Sequence, residues 1–218
     1  MRSIIINDYI YRLITAKTMS ITLIIIIITC LVSITTFSRP EDMAKLSFSP
    51  YRVYHFKEWY RFLTSGFVHA NTMHLLFNML SLYFVGRSIE MAFAVVLGSK
   101  WYYPLLYLLG LVLPDLYNYY KYKNYSGYSS IGASGAVSAV LFSCVLFAPW
   151  QTIYVFLIPC PFIVYAVLFL IYSVYMSKRG GDGIDHRAHF FGAILGLIFP
   201  IIIEPQVMQI FLRQLLNP

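Results

Sequence analysis

Few residues of this 218-residue chain could do covalent chemistry, and they sit inside or beside apolar stretches. Ser134 lies in Gly132-Ala133-Ser134-Gly135, His189 follows Arg187-Ala188, and His74 and Asn78 stand four apart in a run that begins at His69. A hydroxyl beside an imidazole is the minimum for nucleophilic catalysis, since the imidazole accepts the hydroxyl proton and later returns it to the leaving group. Attack on a carbonyl creates an oxyanion that needs donors. The candidates are the backbone N–H of Ser134, near a helix N-terminus whose dipole favours negative charge, and the side chains of His74 and Asn78.

The elements that must position these groups are membrane helices. The chain is 59% hydrophobic and 11% charged with a mean hydropathy of +0.69, whereas a soluble domain carries roughly 25% charged residues. Many of the 19 Tyr fall near the ends of apolar runs, where an amphipathic ring prefers the membrane interface. The net charge of +7 comes from basic residues scattered singly or in pairs, which suits headgroup contacts and not nucleic-acid binding. Cys30, Cys144 and Cys160 have no metal-type spacing and read as packing residues. The run Ile21 to Phe37 is long for a signal-peptide core and lacks a small-x-small cleavage site, so it is expected to stay in the mature protein.

A bilayer core of about 30 Å needs roughly 20 helical residues. Six stretches come near that length, at about 19–37, 69–87, 101–119, 131–148, 155–176 and 187–204. The expected organisation is all-α: a short N-terminal tail at 1–18, one six-helix domain at 19–204 and a short C-terminal tail at 205–218. The connection from Ser38 to Val68 is expected to lie along the membrane, and the stretch from Met91 to Gly98 to belong to the second connection. Pro159 and Pro161 either kink the fifth helix or mark its first turn after an interfacial segment beginning at Trp150. Charge bias does not settle orientation: Arg2, Arg12, Lys17, Arg87, Lys100 and Arg213 fall on the terminal side, which leaves ten of the sixteen basic residues opposite.

In even-numbered spans the chain runs in one direction, so the first turns of spans two, four and six lie at one membrane level. Those turns carry His74, Ser134 and His189. His189, Gly192 and Gly196 share a helix face at spacings of three and four, and Gly135 with Ala139 offers a matching small-residue surface for close approach.

Taken together, Glu58-Trp59-Tyr60-Arg61, the run His69 through His74 to Asn78, Gly132-Ala133-Ser134-Gly135 and Ala188-His189-Phe190-Phe191-Gly192 resemble the motifs of the rhomboid family of intramembrane serine proteases. The resemblance covers nearly the whole chain after about Ser20. It implies Ser134 as nucleophile, His189 as general base, His74 and Asn78 as oxyanion donors, and structural support from Arg61, His69, Gly132, Gly135, Gly192 and Gly196. It further implies a six-helix rhomboid-like bundle that cleaves single-span membrane proteins near a small residue, without cofactor or metal. Cytosolic termini, an outward-opening site and a bacterial cytoplasmic membrane go with it. One departure concerns the aromatic residue that many members carry four positions after the nucleophile, stacked on the catalytic imidazole; here that position is Ser138.

Competing assignments start from the same residues. Asp185, one helical turn before His189, is an alternative orienting acid, and His69 can satisfy backbone groups of the preceding loop. Intramembrane histidines also line transport pathways, although the few membrane carboxylates and the absence of a half-to-half repeat oppose a transporter. A catalytically inactive relative that binds client helices is the other rival. Gly180-Gly181-Asp182-Gly183, before span six, is expected to be a turn that caps the site.

Overall fold

The computed structural model describes residues 20–155, 158–181 and 183–217. The N-terminal tail at 1–18 and Asp182 of the glycine-rich turn lie outside the described residues. The chain is mostly helical. In order come α1 (Ile21–Phe37), α2 (Pro40–Leu46), α3 (Pro50–Phe56), α4 (Arg61–Thr64), a 3₁₀ turn (Ser65–Phe67), α5 (Thr72–Val96), α6 (Tyr102–Val112), α7 (Leu116–Tyr122) and α8 (Ser134–Phe147). A hairpin of β1 (Thr152–Val155) and β2 (Ile158–Pro161) follows, then α9 (Phe162–Arg179), α10 (His186–Ile203) and α11 (Gln206–Leu216).

Among the described residues three helices, α5, α9 and α10, are long and apolar enough to cross a membrane, while α1 and α8 are apolar but shorter. Several boundaries differ from those expected. Residues 91–96 continue α5, because no residue breaks the helix before Gly98, whose φ of +79° turns the chain. The third expected span is divided into α6 and α7 next to Pro114, which lacks the N–H that a continuous helix needs. Pro159 and Pro161 belong to the hairpin, with Ile153 opposite Cys160, so they mark the entry to α9 and not a kink within it. The C-terminal segment forms the amphipathic helix α11, anchored by buried Val207 and by the Trp150 indole, which donates to the Leu215 carbonyl at 3.1 Å.

Lipid supplies no hydrophobic drive between helices, so close packing and polar links must hold the bundle. Helix α8 is central, with eleven of its fourteen residues buried. Small residues let its neighbours reach it backbone to backbone. A Cβ on Gly110 of α6 would lie 2.6 Å from Ala136 Cα, and one on Gly192 or Gly196 of α10 would overlap the carbonyl of Gly135 or Ala139 respectively. Ser143 seals this seam by donating to the Gly196 carbonyl at 2.8 Å. On the other flank, Glu90 of α5 caps the start of α1: its carboxylate accepts from the Ser20 hydroxyl at 2.7 Å and from the Ile21 and Thr22 amides at 3.1 and 3.2 Å.

The seam predicts the effect of enlarging Gly196. Because the facing atoms are Ala139 backbone, nothing flexible can yield, and Gly196→Val should destabilise the bundle by about 1–3 kcal/mol. Thermal unfolding in detergent checks this, and an unchanged Tm would contradict the packing described.

Candidate active site

Ser134 is the first residue of α8, and Ala133 is its N-cap. The first intrahelical bond runs from the Val137 amide to the Ala133 carbonyl, so the Ser134 amide has no acceptor within the helix. The preceding residues are non-helical, and their backbone groups are met from outside. Ser130 pairs with Phe48 through two backbone bonds of 3.0 and 3.1 Å, and the Gly132 amide donates to the Ser65 carbonyl at 2.9 Å. The Ala133 amide donates to His69 Nε2 at 3.4 Å.

His69 is fully buried and acts as a relay. Ser33 of α1 donates its hydroxyl proton to the Phe67 carbonyl at 2.8 Å, so at 2.9 Å it accepts from His69 Nδ1–H. That leaves Nε2 as the acceptor for Ala133, and every member of the chain is satisfied by one neutral tautomer. The relay ties α1 to the residue before Ser134.

The first connection forms a second support. Arg61 is buried, and its guanidinium donates to the carbonyls of Ala44 at 2.9 Å and Ser47 at 2.7 Å and to Glu58. Glu58 also accepts two bonds of 2.7 Å from Arg52. Thr64 donates to the Leu46 carbonyl at 2.8 Å. This packed loop presents Phe48 and Ser65 to the segment before α8.

His74 lies in the first turn of α5, where Asn71 caps the helix by accepting from the His74 amide at 2.9 Å. Its ring rests on Gly132: a Cβ there would lie 2.6 Å from Cε1 and 2.8 Å from Nε2. The φ of +117° at Gly132 favours glycine for a second reason. Asn78 is buried one turn on and donates one amide hydrogen to the His74 carbonyl at 2.9 Å; its side chain carries a second.

His189 lies in the first turn of α10, one turn before Gly192, which touches Gly135, the neighbour of Ser134. Its ring is stacked on Phe169 of α9, with centroids 6.1 Å apart and planes at 26°, and meets His186 edge-on at 5.8 Å. Asp185 caps α10: one oxygen accepts from the Arg187 and Ala188 amides at 3.2 and 3.1 Å, and the other accepts from Asn118 and from the Tyr128 hydroxyl at 2.8 Å. Phe169 had no signal in the sequence, because a ring brought from another helix has no fixed spacing from the residue it touches.

A cavity of about 30 Å³ opens beside Ser134. Ser65, Asp115, Ser130, Gly132, Asp185 and Ala188 also line it, so it offers several polar partners and room for a water molecule.

Glu58 gives the loop support a pH signature. Hydrogen bonds from Arg52 and then Arg61 outweigh partial desolvation and hold its carboxyl at about 2, against an ordinary 4.5. A depressed folded-state value adds stability that is complete above the ordinary value and is lost as pH falls through the depressed one. The stability difference between wild type and Glu58→Gln should therefore be constant above about pH 5 and shrink from there toward about pH 2. Thermal unfolding across that range reads it, and a flat difference would remove the ion pairs from the account.

The family model described as Rhomboid domain matches residues 57–206 of this chain. No curated protein matches it.

Proposed function

This chain belongs to the rhomboid family, and we propose that it is an intramembrane serine endopeptidase that cuts single-span membrane proteins with a Ser134/His189 dyad. Members of the family are generally intramembrane serine proteases. The observation that carries the proposal is the meeting of two helix starts: α8 begins at Ser134, α10 brings His189 in its first turn, and the Gly135–Gly192 contact holds the two backbones together.

In the proposed reaction His189 takes the Ser134 proton as Oγ attacks the scissile carbonyl. The oxyanion is held by the Ser134 amide at the N-terminus of α8, with His74 and Asn78 supplying further donors. Collapse breaks the C–N bond, and the imidazolium protonates the departing amine. A water from the polar cavity then attacks the acyl ester with His189 as base, releasing the new carboxylate and restoring Ser134.

A six-crossing framework completes the proposal, with α1, α5, α6 and α7 together, α8, α9 and α10 traversing one domain at 19–204. An even number of crossings puts both termini on one side, here the cytosolic side of a bacterial cytoplasmic membrane. Helix α8 spans only about 21 Å at 1.5 Å per residue, against about 30 Å of hydrocarbon. A catalytic helix that begins below the surface suits a substrate that is itself a membrane helix. No cofactor is needed for this chemistry.

Cleavage of a reconstituted single-span substrate tests the proposal. Ser134→Ala and His189→Ala should each abolish cleavage and labelling by a fluorophosphonate while leaving the fold intact. Asn78→Ala and His74→Ala should each lower kcat by about 10²-fold, the usual effect of losing one oxyanion donor. Cleavage retained by folded Ser134→Ala would reject the mechanism.

A further inference from the structure

The imidazole of a general base works only if its ring plane aims one nitrogen at the hydroxyl, and the second side-chain torsion of histidine is intrinsically broad. Something must therefore hold the ring. Helix α8 offers no ring one turn beyond Ser134, because position 138 is a buried serine. A ring from another helix does stack on the imidazole: Phe169 of α9.

Phe169 is itself braced. Its ring packs on Phe142 of α8 at 5.3 Å, where Phe142 is fully buried, and on Tyr165 of its own helix at 5.7 Å. The row of rings from Phe142 through Phe169 to His189 thus runs from α8 through α9 to α10. His186 also meets the imidazole, but it presents an edge at 77° and does not define the ring plane in the same way.

We propose that Phe169 is the positioning residue for His189, setting the plane of the imidazole from a helix that carries no catalytic group. The inference rests on the Ser134/His189 reading. It gives α9 a part in catalysis, although among the described residues α9 is the least buried of the three long apolar helices.

The test uses the full chain in proteoliposomes with a single-span reporter substrate. Phe169→Leu keeps an apolar side chain but removes the ring; it should lower kcat about tenfold with KM within about twofold of wild type. Phe169→Tyr restores the ring and should return kcat to within about twofold. If the leucine variant does not fold, as judged by its Tm, Phe169→Met reads the same loss, since its flexible side chain refills the space. A ring-less variant with wild-type kcat, a change confined to KM, or a loss that tyrosine does not restore would each overturn the proposal. Ser134→Ala run beside these variants separates the two readings: if it cleaves like wild type the dyad fails, and if it is inactive while Phe169→Leu is normal, only the role of Phe169 fails.

Discussion

The structure depends on satisfying a short stretch of non-helical backbone that enters the helix bundle. Residues 130–132 lead into α8 without helical bonds of their own and Ala133 joins the helix only through its carbonyl, and an unmet N–H or C=O buried away from water costs several kcal/mol in hydrocarbon. Phe48, Ser65 and His69 meet the groups at Ser130, Gly132 and Ala133. Each of these partners needs a scaffold in turn. Arg61 supplies it for the first connection by binding the Ala44 and Ser47 carbonyls, and Ser33 supplies it for His69. The position of Ser134 is thus the output of a hydrogen-bond framework reaching back to α1, and the motif residues that surround it are parts of one support.

The helices then converge for a steric reason. Glycines at 110, 192 and 196 remove the side chains that would hold α6 and α10 away from α8. This is why α8 can be short and nearly all buried and still be the centre of the bundle. The same closeness limits what can change, because the atoms facing Gly192 and Gly196 are main chain.

Much of this was legible in the amino-acid sequence because helical spacing is rigid. Four residues from His74 to Asn78, and three and four from His189 to Gly192 and Gly196, put each set on one face whatever the rest of the chain does. Element boundaries were less legible. An apolar stretch such as 91–96 reads equally as loop or helix until a breaker ends it, and a hairpin of Ile, Tyr, Val and Pro looks like the start of a span. Long-range partners were not legible at all: Glu90 capping α1, the Phe48–Ser130 pairing and the Phe169 stack join residues whose separation carries no pattern. Asn118 and Tyr128 on Asp185 belong to the same class.

The central claim is that the start of α8, the first turn of α10 and the His74/Asn78 face of α5 surround one reacting carbonyl. A structure of the fluorophosphonate-inactivated protein in lipid tests it most directly. The account predicts phosphorus bonded to Ser134 Oγ, with the phosphoryl oxygen about 3 Å from the Ser134 amide and from a nitrogen of His74 or Asn78. An adduct on another residue, or a phosphoryl oxygen pointing away from all three donors, would contradict it.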